Sequence, residues 1–310
     1  MAPMLARLQK IITFGLLFAS LGVGVWFMRY GSLAAAFIAG LVFLLLAMGV
    51  YAGALAIEFA LARAINARSA CPGATWQQTW SAWRHEAITG PVLFCWRQPF
   101  CTNAIPDNSP PASDAFGQQG LVFVHGFFCN RAFWTPWIAR LQNTGRMYKA
   151  ISLEPVFGSI DDYRSLIDNA VKRVTAATGE VPLLVCHSMG GLAVRAWLAG
   201  QPASGPGYHI VTIGTPHRGT WLARWGSSVN ARQMQIGSDW LAHLNESLIK
   251  PSPHRFTCWY STTDNIVFPS SSATLISADN RQLQGVAHVQ MAFLPQVIEE
   301  TLAMLKKNPG

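Results

Sequence analysis

Charge is scarce in this chain. Asp, Glu, Lys and Arg make up 12% of its 310 residues, against 51% hydrophobic, and the mean hydropathy is positive. That balance excludes a disordered, solvating chain, which needs few apolar residues and high charge. Nucleic acid is excluded as an expected partner as well. The net charge is +8, but no run of clustered Lys or Arg is present. Residues 1–71 carry five bases and one acid, and the remainder carries eighteen bases and fourteen acids. A mild excess of bases suits an anionic lipid surface. Cysteine is also sparse: six residues are too few for a disulfide scaffold. Cys129, Cys186 and Cys258 fall in or beside apolar runs and are expected as buried thiols. Cys71, Cys95 and Cys101 could pair only in an oxidising compartment. No metal-ligand cluster and no internal repeat is visible.

What the chain has instead is apolar length. Ile11 to Met28 is eighteen positions without a charge, about 27 Å as a helix, enough for a bilayer core. A second uncharged run, Tyr30 to Ile57, is rich in Leu, Ala and Phe, with glycines suited to close helix approach in lipid. Transmembrane helices are therefore expected at about 11–28 and 33–57, as a hairpin turning at Arg29-Tyr-Gly-Ser32. The competing reading of the first run is a cleaved signal peptide, for which Ala19-Ser20-Leu21 is a weak cleavage signal. Arg7, Lys10, Arg63 and Arg68 flank one side and only Arg29 the other. That bias favours an inner-membrane, multi-pass anchor with the rest of the chain on the cytoplasmic face.

Beyond the anchor, assigned to residues 1–71, strands and helices alternate as a parallel α/β sheet requires. Trp76, Trp80 and Trp83 recur at helical spacing, either in the headgroup layer or packed on the body. Phe94–Phe100 is expected as an early strand, and Asn103 to Gln119 as an exposed loop. Strands at Gly120–Val124, Tyr148–Leu153, His209–Ile213 and Phe256–Ser261, with a short one before position 288, alternate with helices around Thr135–Asn143 and over Asp161–Thr178. A helix over Glu299–Lys307 closes the chain.

The chemistry is concentrated in Val181-Pro-Leu-Leu-Val-Cys-His-Ser-Met-Gly-Gly-Leu-Ala-Val-Arg195. An apolar strand turns through Ser188 into a helix, and Gly190 and Gly191 allow the two to approach. A serine on such a turn is strained and presents its hydroxyl above the sheet. Cys186 replaces the first glycine of the G-x-S-x-G pattern. With Val124-His-Gly-Phe127 and Gly214-Thr-Pro-His-Arg-Gly219, in that order, the sequence resembles the lipase-like branch of the α/β-hydrolase superfamily over roughly residues 90–305.

The resemblance implies a nucleophile, an acid and a histidine in the chain order Ser, Asp or Glu, His. Ser188 is the nucleophile. Among Asp239, Glu246, Asp264 and Asp279, only Asp264 follows an apolar strand into what looks like the family's acid loop. His288 is the one histidine beyond it. The family's oxyanion donors correspond to the backbone amides of Phe127 and Met189. His125 is expected to hydrogen-bond within its loop, His187 to pack beside the elbow, and His217 and Arg218 to brace loops. Gln290 stands where some bacterial lipases of this branch carry a calcium-binding Asp, so neither a metal nor another cofactor is expected. Thr220 to Arg255, with Trp221, Leu222, Trp225, Trp240, Leu241 and Leu244, is the expected cap of a hydrolase domain spanning 72–310. Its apolar face either shields an acyl chain or buries against the body. The implied activity is a membrane-anchored serine esterase or lipase acting on lipophilic esters. Its rivals are acyl transfer or thioester cleavage on the same residues, and a degenerate membrane-bound binding module.

Overall fold

The computed structural model describes residues 3–68, 73–110, 115–142, 144–202, 204–246 and 253–305. Cys71, Asn143 and the chain end from Lys306 lie outside them.

Two long helices come first. α1 runs Met4–Phe27 and α2 runs Leu33–Asn66, with Ser32 capping α2 through the Ala35 amide. Both are long and apolar enough to cross a membrane. They pack antiparallel: the Ser20 hydroxyl donates to Gly40 O at 3.0 Å, and Gly24 backs onto Ala36 O. α2 outruns the expected span by more than two turns. Its last part buries Leu55, Phe59, Ala62 and Asn66. The Asn66 side chain donates to Thr262 O at 3.1 Å and accepts from the Ser270 amide at 2.8 Å, so α2 is bolted to the body.

α3 (Trp76–Pro91) starts on a capping box of Thr75 and Gln78. It does not stop at Pro91. The chain widens into a π-helical turn over Val92–Arg97, with the Gln98 amide bonding Leu93 O, five residues back, and adds a last turn, Gln98–Phe100. This corrects the strand expected at Phe94–Phe100. A proline removes one ladder hydrogen bond, and a π turn absorbs the displacement without ending the helix. The tryptophan stripe divides: the Trp83 indole donates to Ala52 O at 2.8 Å, while Trp76 and Trp80 remain exposed.

The sheet has six strands, all parallel, in the order β2-β1-β3-β4-β5-β6. They are β1 (Leu121–Val124), β2 (Tyr148–Ile151), β3 (Leu183–His187), β4 (His209–Ile213), β5 (Arg255–Ser261) and β6 (Asp279–Leu283). Successive side chains of a strand face opposite sides. Val122, Val124, Leu184 and Cys186 join one core with α5 (Arg164–Thr178) and α6 (Met189–Ala199). Leu121, Phe123, Leu183 and Val185 join the other with α4 (Thr135–Leu141), whose Trp137 and Ile138 are buried, and with the C-terminal helix Pro295–Ala303. With both faces covered, the central strands β1 and β3 are buried throughout, whereas the edge strand β6, Asp-Asn-Arg-Gln-Leu, is polar and mostly exposed. β1 and β3 are neighbours whose connections leave in opposite directions, the switch point at which ligand crevices open beyond the strand ends.

Within the expected cap, Leu241 and Leu244 lie in the first core beside Tyr163 and Trp197. The Trp240 indole donates to Asp161 at 2.8 Å, and Trp221 stacks on Phe268. The described part of this segment thus buries Leu241 and Leu244 against the body, while Trp225 stays exposed at 74%.

Candidate active site

The elbow begins where β3 ends. Ser188 has φ 53 and ψ −129, a region that costs a side-chain-bearing residue about 1–3 kcal/mol and persists only where its surroundings hold it. Those surroundings are explicit. The Ser188 amide donates to Ile213 O at 2.8 Å, and its carbonyl accepts from the Gly191 amide at 3.1 Å and the Thr215 hydroxyl at 2.9 Å. A Cβ on Gly190 would stand 2.4 Å from Val124 O, so the helix start requires glycine there. Cys186, at the family's first glycine, is fully buried between β1 and β4, and burial pushes its thiol well above the usual range.

His288 opens a short helix, His288–Met291, that Gln290 caps by accepting from the Ala287 amide. Its Nδ1 lies 2.9 Å from Asp264 Oδ2, and both side chains are buried. The other Asp264 oxygen accepts from the Ile266 and Val267 amides at 2.8 and 2.7 Å. Burial by itself would lower the imidazole pKa. The Asp264 carboxylate, with Glu86 and Glu58 farther off, outweighs it, and the His288 pKa stands above the ordinary value.

Both candidate oxyanion donors flank the serine. Met189 is the first residue of α6, so its amide has no partner within the helix. On the other side, a Cβ on Gly126 would meet Ser188 Cβ at 2.7 Å, which brings the Gly126–Phe127 backbone against the nucleophile. That loop is held by Gln98, which accepts from the Asn130 amide at 2.7 Å.

A model of the alpha/beta hydrolase family matches residues 121–300, more than half of the chain. The chain belongs to the alpha/beta hydrolase family. Among solved structures, the propeptide form of the Bacillus licheniformis lipase BlEst2 is 17% identical, with a TM-score of 0.52 over 66% of this chain and 54% of its own. Aspergillus fumigatus lipase B is 16% identical, with a TM-score of 0.50 over 61% and 53%. This chain thus spans about half the length of each. At such identity the likeness is one of fold alone. A comparison with curated proteins finds no match.

In this alpha/beta hydrolase, Ser188 and His288 open onto a cavity of about 260 Å³, near the lower end of ligand pockets. Phe127, Phe128 and Ile266 line it from the body. Tyr51, Leu55 and Glu58 line it from α2, and Glu86 and Phe94 from the α3 segment. Among the described residues, none of 220–246 reaches it. A larger cavity, about 820 Å³, lies at the β2 edge and shares no lining residue with it. The Arg131 and Lys149 cations there are already paired with Asp107 at 2.8 and 2.6 Å.

The two carboxyls on the helices belong to none of the sequence motifs. Glu58 accepts from the Asn265 side chain at 2.9 Å. Glu86 is buried; one oxygen accepts from the Val289 amide at 3.2 Å, and the other has no hydrogen-bond partner. Burial pushes its pKa up to about 7, against the pull of His288 and the Val289 amide. A sequence signal existed: Glu86 continues the buried stripe of Thr79, Ala82 and Gly90, and a carboxyl on the inner face of a helix asks for a reason.

The other histidines of the sequence motifs hold the surrounding loops and the elbow. His125 Nδ1 lies 2.8 Å from Gly126 O, and its Nε2 accepts from the Leu153 amide at 2.9 Å. Burial lowers its pKa to about 4. His187 stacks on Phe133, with ring centroids 4.4 Å apart. Burial, then the neighbouring His288, holds its pKa well below the usual range. His217 meets the buried Arg195 and Thr212. The Arg218 amide donates to Ser272 O, and its side chain is exposed.

Proposed function

We propose that this protein is a membrane-anchored serine hydrolase that cleaves carboxylic esters of lipophilic acyl groups through an acyl-enzyme on Ser188. The observation that carries the reading is the buried His288–Asp264 bond of 2.9 Å sharing one cavity with a serine held at φ 53. Ser188 Oγ attacks the ester carbon, and its proton passes to His288 Nε2, the nitrogen that Asp264 leaves unbonded. Asp264 keeps the imidazole in the useful tautomer and stabilises the imidazolium. The Phe127 and Met189 amides receive the oxyanion, helped by the amino-terminal dipole of α6. The imidazolium then protonates the departing alkoxide. Water, deprotonated by the same nitrogen, releases the acid and restores the serine. Leu55, Phe94, Phe127 and Phe128 supply the apolar wall an acyl chain needs.

The membrane part of the reading rests on α1 and α2 as a hairpin of the inner membrane. Arg7, Lys10, Arg63 and Arg68 against Arg29 put both termini and the hydrolase unit on the cytoplasmic face. Residues 1–71 anchor and 72–310 form the hydrolase unit, with the pocket roof supplied by α2 and α3.

Purified in detergent, the protein is expected to hydrolyse short and medium acyl esters of p-nitrophenol, and Ser188→Ala to retain only background. Parent-like turnover in that variant would remove Ser188 from the mechanism. A carboxyl-terminal fluorescent-protein fusion should light up while an alkaline phosphatase fusion stays silent. The reverse pattern overturns the orientation.

A further inference from the structure

Where the apolar layer ends on the hairpin can be read from its packing. Ser20 faces Gly40 and Gly24 faces Ala36, so a step back along α1 matches a step forward along α2, and Lys10 comes level with Val50. Between these levels Ile11–Met28 and Leu33–Val50 are mostly exposed. Each stretch is eighteen residues, about 27 Å of helix and close to a bilayer core. The body meets the hairpin at that boundary and within the next turn of α1. Lys10 lies 5.5 Å from the Phe100 ring, the Phe14 and Phe100 rings are 5.7 Å apart, and the Tyr51 hydroxyl reaches Glu86 O at 3.5 Å.

The segment lying along this boundary is the end of α3 and its π turn, and its two faces differ. Inward, Leu93 is fully buried and Phe94 lines the cavity at Ser188. Outward, one residue in every four is apolar and exposed: Ile88 at 64%, Val92 at 48%, Trp96 at 63% and Phe100 at 38%. Left in water, this continuous apolar strip would be a liability. It is continuous with the exposed apolar surface of α1 through Phe14, and it carries a tryptophan, the side chain enriched where hydrocarbon meets headgroups.

We propose that Ile88, Val92, Trp96 and Phe100 form a membrane-contact face whose partner is the headgroup–acyl boundary of the bilayer, and that this face seats the Ser188 pocket at the depth of lipid ester bonds. The inference rests on the hairpin reading above. It makes the substrate class bilayer-resident acyl esters, taken from the membrane surface and not from free solution. Lys10, level with the boundary, adds attraction to anionic headgroups.

The test uses the full chain in vesicles of phosphatidylcholine and phosphatidylglycerol, comparing the parent with Val92→Gln/Trp96→Gln. Neither residue lines the pocket. Turnover of a long-chain fluorogenic ester embedded in the vesicle is expected to fall about tenfold in the variant, or about 1.4 kcal/mol of barrier. Hydrolysis of soluble p-nitrophenyl butyrate and fluorophosphonate labelling should stay within about twofold. Unchanged vesicle turnover overturns the proposal. Equal loss on both esters overturns it too, because the residues would then serve the fold. A readout independent of activity is quenching of tryptophan emission by brominated lipids, a component of which Trp96→Phe should remove. Absence of that component refutes the membrane contact even in an inactive protein. Vesicle cross-linking of two chains that the double variant abolishes would assign the face to a second copy and overturn the proposal as well. Failure of the parent to cleave any ester or to label is a different result: it refutes the serine-hydrolase reading and leaves the quenching test standing.

Discussion

The pocket has two walls that are held in different ways. The body wall is fixed by backbone hydrogen bonds: Ser188 through Ile213 and Gly191, Asp264 through the amides of Ile266 and Val267. The helical wall is fixed by side-chain packing, with Tyr51, Leu55 and Phe94 facing the pocket and two carboxyls, Glu58 and Glu86, among them. A wall that carries chemistry needs atoms placed to a fraction of an ångström. A wall that selects substrate needs shape and polarity, and many residues supply those. We therefore expect turnover to depend on the body wall, and selectivity, with a stability cost, on the helical wall.

Breaking the body wall should have the largest effects. Ser188→Ala is expected to lower kcat by about 10⁶-fold, and Asp264→Asn by about 10⁴-fold, as in serine triads generally. Ester hydrolysis with circular dichroism as a folding control would measure both. A loss of only a few-fold in either would place the chemistry elsewhere.

The helical wall should show itself next, through stability. Glu86 has its pKa raised from the ordinary 4.5 to about 7 by burial. The sign follows from linkage: the favourable, protonated form is fully present below about 4.5, and its contribution is lost as pH rises through about 7. Relative to Glu86→Gln, which keeps the acceptor for the Val289 amide, the parent should lose up to about 3 kcal/mol between those limits. Thermal melts in detergent across pH 4 to 8 would show the gap opening. A gap that does not depend on pH would contradict the buried carboxyl.

Smaller effects sharpen the division. Leu55→Gln is expected to lower kcat/KM for medium-chain esters by about tenfold while sparing acetate esters, because the lost contact is with the chain. Cys186→Gly, which restores the family pattern at the elbow, should change activity by less than about tenfold. A larger change would mean that the buried thiol shapes the turn.

The same comparison explains what could be read from the sequence. The body wall is local chemistry. A strand, a serine, two glycines and an acid at a strand end are constrained by the turns they occupy, so Ser188, Asp264 and His288 stand out along the chain by their neighbours and their order, and Asp264 and His288 meet at 2.9 Å. The helical wall arises from contacts between residues far apart in the chain, such as Tyr51 with Glu86 and Asn66 with Thr262, and no motif records it. A short aromatic run such as Phe94–Phe100 suits a strand or a buried helix equally, and here it continues α3 through a π turn. The expected cap failed to reveal its surface for a related reason. Trp240, Leu241 and Leu244 specify an apolar face, and that face meets the core around Tyr163 and Trp197.

The central claim, that Ser188 is the nucleophile of a working esterase pocket, is tested most directly by mapping a fluorophosphonate adduct on the full chain by peptide mass spectrometry. The account predicts one phosphonylated residue, Ser188, with the adduct absent after prior heating and absent from Ser188→Ala. An adduct on another residue, or native protein that takes up no label at any pH from 6 to 9, would contradict it.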